Sequence, residues 1–129
     1  MTDSAEPLVS VVDDDASLRR SVQNLLASVG FRVESFASAE DFLGSSHRGE
    51  TRCLVLDLRM PGMTGFELIA RLAALGSQIP VIVLTAHNDD EARRRTLKAG
   101  AVAFLGKPFR GNHLLDAVRA ALDRGDPRR

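Results

Sequence analysis

Apolar positions along the chain follow two alternating rhythms. Five short runs have the length and apolar density of strands: "LVSVV" from Leu8, "RVESF" from Arg32, "CLVLD" from Cys53, "VIVLT" from Val81 and "AFLG" from Ala103. The first, third and fourth are almost wholly apolar, as central parallel strands covered on both faces should be. "RVESF" alternates polar and apolar residues and reads as an edge strand.

Between these runs the period changes to that of a helix. Leu18, Val22, Leu25, Leu26 and Val29 form one stripe. Phe66, Ile69, Leu72 and Ala73 form another, and Leu114, Leu115, Val118 and Leu122 the last. A shorter helix is expected over Ala39 to Gly44, with Ser38 as its N-cap. Gly30, Gly76 and Gly100 each follow a helical stretch, where a left-handed C′ residue ends the helix. The stretch from Asp89 to Ala99 has the thinnest apolar face: Ala92, Thr96, Leu97 and Ala99. It should be the least firmly anchored helix.

Strand-helix alternation, repeated five times, predicts a doubly wound (βα)₅ domain of the α/β class with right-handed crossovers. Alternation alone leaves the strand order open. The flavodoxin-like order 2-1-3-4-5 is one common solution for a parallel five-stranded sheet.

Composition narrows the function classes. The 129 residues suit one domain with one core, and 44 % of them are hydrophobic. The 17 basic and 17 acidic side chains cancel. No global field points to nucleic acid or an anionic membrane. The single cysteine, Cys53, opens an apolar strand and reads as core filler rather than a redox group. "MTDSAEPLVS" lacks the basic and apolar regions of a signal peptide. No apolar run approaches the ~20 residues of a membrane helix. The expectation is a cytoplasmic domain over residues 1–124, with residues 125–129 a polar tail or the start of a linker.

In sheets of this kind, ligands bind outside the carboxyl ends of the strands. The first strand delivers Asp13, Asp14 and Asp15 there. The third delivers Asp57, the fourth Thr85, and the fifth Lys107 followed by Pro108. Each has a bland reading alone: a turn former, an acidic cap, a turn. Together they place the right chemical types at four separate strand ends.

If the first and third strands are neighbours, their carboxylates converge. Two like charges ~4 Å apart repel by about 4 kcal/mol at an effective dielectric of 20. Such a site needs a proton or a cation. Lys107 supplies one positive charge, and a divalent metal would supply two. Few oxygen ligands on open loops favour Mg²⁺ or Mn²⁺ over zinc or a calcium cage. "DDDAS" also lacks the spacing of an EF-hand. An acidic metal site with a lysine and a threonine hydroxyl suits a phosphoryl group. Asp57, alone on its strand, is then the candidate nucleophile, and the acids after the first strand suit metal binding. Asp15 reads either as a third metal acid or as a helix N-cap.

At this point the chain resembles a known family. "VVDDD", "LVLDLRMPGMTGFEL", "VIVLTA" and "AFLGKPF" look like the four signatures of response regulator receiver domains. The resemblance runs from about Leu8 to Leu122, and "VESFASAEDFL" is similar to receivers of the nitrogen-fixation transcription regulator type. It implies the flavodoxin-like 2-1-3-4-5 sheet. It also implies a signalling switch rather than a turnover enzyme. A sensor histidine kinase would be the partner and phosphoryl donor, and Asp57 the phosphoacceptor. Asp13, Asp14 and Asp57 would hold Mg²⁺, helped by the backbone carbonyl of Arg59. Thr85 and Lys107 would contact the phosphoryl group, and Lys107-Pro108 would be a cis peptide. Thr85 and Phe104 would form the switch pair. The responding face would be the fourth helix, fifth strand and fifth helix, controlling dimerisation or an output domain, with transcription regulation as the outcome. Either the domain acts alone through protein contacts or an output domain belongs with it.

Other features modify this picture. Phe104 has no hydroxyl, so its inward rotation would be apolar burial alone. Arg59 and His87 should flank the pocket entrance and control water that attacks an acyl phosphate. Arg93, Arg94 and Arg95 fan over about 200° of a helix, so they form no basic stripe. A solvated face or dimer salt bridges fit them better than direct nucleic acid binding. Two rival classes share parts of the pattern. A haloacid dehalogenase-type phosphatase wants an acid two residues after the nucleophile, where this chain has Arg59. A flavin-binding module wants a Ser/Thr-rich phosphate loop in place of "DDDAS".

Overall fold

The computed structural model describes residues 6–124. Five strands alternate with five α-helices: β1 (Leu8–Val12), α1 (Ala16–Ser28), β2 (Arg32–Phe36), α2 (Ala39–Leu43), β3 (Thr51–Leu56), α3 (Gly65–Ala74), β4 (Val81–Thr85), α4 (Asp90–Lys98), β5 (Ala103–Gly106) and α5 (Gly111–Arg124). A 3₁₀ turn at Arg48–Glu50 precedes β3. The sheet is parallel throughout, in the order β2-β1-β3-β4-β5. The polar tail expected at 125–129 lies outside the described residues.

The apolar strands are central because each face feeds a separate core. Leu54, Leu56, Val81 and Val83 point to one side and pack with Phe42, Leu68, Ile69, Leu72 and Phe104. Cys53, Val55, Ile82 and Leu84 point to the other and pack with Val22, Leu26, Leu114, Val118 and Ala121. Period-two alternation thus divides one continuous apolar run between two helical layers. Cys53 is fully buried, and burial pushes its thiol up to about 12. Ser10 and Thr51 bring two hydroxyls into the interior and satisfy each other at 2.8 Å across β1 and β3.

Helix ends follow local chemistry. Ser38 caps α2 through the Asp41 N–H, and Asp89 caps α4 through the Ala92 N–H. Thr64 and Glu67 form a reciprocal capping box at α3. Gly30, Gly76 and Gly100 take φ of 100°, 78° and 114° just past α1, α3 and α4, the left-handed turn that ends each helix.

Several boundaries differ from the sequence reading. β3 begins at Thr51 and ends at Leu56, so Asp57 lies just past the strand. β2 is an edge strand but is half-buried on both faces after Arg32, because α1 and α2 cover it from either side. The stripes also rotate slightly. Val29 is exposed, as is Ala73, whereas Leu68 is buried instead. On α4 only Thr96 is buried and Ala92 half-buried; Leu97 and Ala99 face outward. The fourth helix is therefore held by even less apolar area than its sequence suggests.

Candidate functional site

The site is built by backbone register. Val12 of β1 pairs with Leu56 of β3. The pattern continues one residue further: Asp13 N–H donates to the Phe36 carbonyl and Asp57 N–H to the Val12 carbonyl, both at 3.1 Å. Asp13 and Asp57 are thereby set side by side at the carboxyl edge. Both are buried, and Asp14 beside them is exposed. One carboxylate oxygen from each of the three lies within 4.8 Å of the others.

Lys107 crosses from β5 into this cluster. Its ammonium donates to Asp13 Oδ2 at 2.9 Å and to Asp57 Oδ2 at 3.2 Å. Burial pushes the Asp13 carboxyl above its ordinary value, and the nearby Asp57 adds to this; the Lys107 hydrogen bond and the Asp15 N–H pull against it. For Lys107, burial favours the neutral amine, but Asp13 and Asp57 outweigh it and the ammonium titrates above its usual range. Three carboxylates facing one ammonium leave a formal charge of −2 when all are ionised.

The surrounding backbone locks these groups. Asp15 caps α1, accepting from the Ser17 and Leu18 N–H groups, while its own N–H donates to Asp13 Oδ1 at 2.9 Å. Its side chain is therefore engaged as a cap, resolving the two readings of that acid. Arg19 donates to the Asp13 carbonyl at 2.8 Å. Thr85 is fully buried at the end of β4, and its hydroxyl accepts the His87 N–H at 3.1 Å. The Thr85 carbonyl accepts the Lys107 N–H at 2.9 Å, which ties the β4 and β5 ends together. The Lys107-Pro108 peptide is cis. Phe104 is buried two residues before the end of β5, opposite Val83 and in the core cluster with Ala101.

Arg59 is exposed, and its N–H reaches Asp57 Oδ1 only at 3.5 Å. Arg59 and His87 line one cleft of about 520 Å³ with Leu58, Met60 and Phe66; its lining starts next to Asp57 in the chain, but none of the three carboxylates lines it. The three arginines of α4 diverge, as their spacing requires. Arg93 lies over the Phe104 ring at 5.9 Å, and Arg95 stacks on Phe66 at 3.9 Å, bridging α4 to α3.

A family model described as the response regulator receiver domain matches residues 9–119. The chain belongs to the response regulator receiver family. Nodulation protein W of Bradyrhizobium diazoefficiens is 48 % identical over 126 residues, which make up 98 % of this chain and 56 % of that protein. The solved structure of the response regulator StyR superimposes with a TM-score of 0.84 at 49 % identity, covering 93 % of this chain and 61 % of the other. That of FixJ-N gives 0.82 at 39 % identity, covering 92 % and 94 %. The chain spans about half the length of the curated relatives it matches. Among the described residues of this receiver, no helix is long and apolar enough to cross a membrane.

Some contacts at the site of this receiver have only a faint signature in the sequence, or none. Gly65 opens α3 directly against the backbone after β3. A Cβ there would strike the Asp57 carbonyl and come within 2.8 Å of Leu58 Cα. A glycine at the first position of a helix, where most residues are tolerated, was the available signal. Glu40 reaches the loop after Asp57, and nothing in its local sequence announces that.

Proposed function

We propose that this receiver accepts a phosphoryl group on Asp57 from the phosphohistidine of a sensor histidine kinase. The observation that carries this reading is the Lys107 ammonium bridging Asp13 and Asp57, with Asp14 completing the acidic cluster.

The donor set fits a small divalent cation. All three side chains offer hard oxygens, and one from each lies within 4.8 Å of the others, close enough for a single small cation to be held by them. The formal charge of −2 is what such an ion would neutralise. Asp13, Asp14 and Asp57, with the Arg59 carbonyl, would hold Mg²⁺, and Mn²⁺ suits the same ligands. When bound, the ion supplies charge neutralisation for the phosphoryl oxygens.

The chain's own groups do the rest. An Asp57 carboxylate oxygen attacks phosphorus, the phosphorus–nitrogen bond breaks, and the histidine imidazole leaves with the bond pair. Lys107 then pairs with a phosphoryl oxygen. The Thr85 hydroxyl, which already accepts the His87 N–H, has its own proton to donate to another. Drawing Thr85 toward the phosphoryl group loosens β4 from α4, and Phe104 moves with it. The responding surface is α4, β5 and α5, which regulates dimerisation or an output domain controlling transcription. The thin apolar contact of α4 supports this, because a weakly seated helix shifts at low cost.

The rival readings lose support at particular residues. Arg59 occupies the position where a phosphatase of the dehalogenase type wants an acid. The Asp13 to Asp15 segment would repel a flavin phosphate. A receiver acting alone by protein contacts remains the second reading of the output.

Incubation with acetyl phosphate, with and without Mg²⁺, followed by intact mass tests the proposal. A labile, Mg²⁺-dependent adduct on wild type that is lost in Asp57→Asn is the expected result. No adduct on folded wild type would overturn it.

A further inference from the structure

We propose that Glu40 of α2 is a positioning residue for the loop that carries the phosphoacceptor. The inference rests on the phosphoacceptor reading above and concerns the same site.

The loop between β3 and α3 runs from Asp57 to Thr64 and holds both Asp57 and the Arg59 carbonyl. Two contacts fix its far end: the Gly65 N–H donates to the Leu58 carbonyl at 2.9 Å, and the Thr64–Glu67 capping box starts α3. Its middle is a reversal at Pro61-Gly62, with Gly62 at φ of 76°. Proline followed by a residue of positive φ is the central pair of a type II turn. The amide that follows this pair, Met63 N–H, donates to Glu40 Oε2 at 3.0 Å. That partner lies 23 residues earlier in the chain, on another helix.

Glu40 also touches the turn itself. A Cβ at Gly62 would come within 2.8 Å of Glu40 Oε2. The carboxylate therefore sits against the one residue whose backbone needs the left-handed region, and accepts from the next.

The base of Glu40 does not move easily. Its neighbours Ala39 and Phe42 are fully buried, and Phe42 packs edge-on against Phe36 with ring centroids 5.6 Å apart. The short helix α2 is thus an anchored post. Glu40 ties the turn to it. A released turn would let the Arg59 carbonyl wander relative to Asp57. Groups that orient ligands in this way typically change metal affinity by about tenfold or more, and an exposed contact should give less.

The test uses the 129-residue chain as wild type, Glu40→Ala and Glu40→Gln. Mg²⁺ is titrated while the backbone amide resonances of residues 57 to 65 are followed, and hydrogen exchange of the Met63 amide is measured without metal. Glu40→Ala should weaken Mg²⁺ binding about three- to tenfold and speed Met63 exchange. Glu40→Gln keeps an acceptor oxygen, so both readouts should stay within about twofold of wild type. Unchanged affinity in Glu40→Ala would overturn the inference. Equal weakening in both variants would also overturn it, since charge and not the hydrogen bond would then be responsible. Absence of any Mg²⁺-dependent shift in wild type would instead defeat the metal reading itself, and the inference with it.

Discussion

Replacing Lys107 by methionine removes the one ammonium among the described residues that contacts the acidic cluster, while keeping most of the side-chain volume. Each lost contact, at 2.9 and 3.2 Å, is worth ~5 kcal/mol of gross attraction at an effective dielectric of 20. The net loss is much smaller, because burying the ammonium in wild type already costs it part of its hydration. Removing one partner of a buried pair typically costs about 3–5 kcal/mol. The Lys107 side chain keeps 18 % of its surface in solvent, so water replaces part of what it supplied, and about 2–3 kcal/mol is expected. The loss should also depend on pH. Burial already holds the Asp13 carboxyl above its ordinary value, with the Lys107 hydrogen bond opposing. Without Lys107 that carboxyl rises further. An acid with a raised folded-state value binds its proton more tightly when folded. The stability this one group contributes is therefore fully present below the ordinary carboxylate range and is lost as pH rises through the folded value. In the variant this fall extends to higher pH than in wild type. Urea denaturation at pH 5 and pH 8, without divalent cations, reads the gap directly. The wild-type advantage should be larger at pH 8. Added Mg²⁺ should stabilise the variant more than wild type, since the carboxylates then face it with no fixed ammonium. An equal gap at both pH values would refute the coupling between Lys107 and Asp13.

Three further outcomes follow from particular contacts. Thr96 Oγ1 is the one buried side-chain polar atom without a hydrogen-bond partner among the described residues, so Thr96→Val should raise stability by about 1 kcal/mol in urea denaturation; an unchanged or lower midpoint would contradict the burial argument. Gly65→Ala drives a methyl into the Asp57 carbonyl and Leu58 Cα, which are backbone and do not yield; about 1–3 kcal/mol of stability should be lost together with slower phosphorylation, and a neutral effect would show that the loop gives way. Arg59→Ala and His87→Ala open the same cleft wall to water, so one of them should change the half-life of the Asp57 adduct by more than about twofold, ~0.4 kcal/mol in barrier, and two unchanged half-lives would remove both residues from that role.

The strands and the chemistry at their ends were legible because both depend on short-range rules. A run such as Val81 to Thr85 is apolar on both faces only if it is central, and a parallel sheet presents every carboxyl end on one edge. The helical stripes were legible only in part. Period and length are local, but which neighbour covers a stripe is not. Val29, at the C-cap of α1, and Leu97, turned away from the Ala92–Thr96 face of α4, are exposed, whereas Leu68, outside the expected stripe, is turned inward. The contact from Glu40 to Met63 joins α2 to the loop that follows β3, 23 residues on in the chain, so no local pattern encodes it.

The alignment of Asp13 with Asp57 depends on a detail below the reach of pattern reading. At its start β1 pairs Leu8 with Thr51, and the next pair is Val9 with Cys53, so Arg52 is an extra residue in β3. Continued without that irregularity, the first register would pair Val12 with Val55 and set Asp13 beside Leu56. Asp57 would then stand one residue beyond Asp13. Because side chains alternate faces, a slip of one residue also reverses which core each side chain enters. The exposed Arg52 takes up that slip before the buried part of the strand begins. It leaves Cys53 and Val55 in one core and Leu54 and Leu56 in the other, and it brings the two carboxylates level where Lys107 can bridge them. The acidic site is thus a consequence of sheet register as much as of the aspartates themselves.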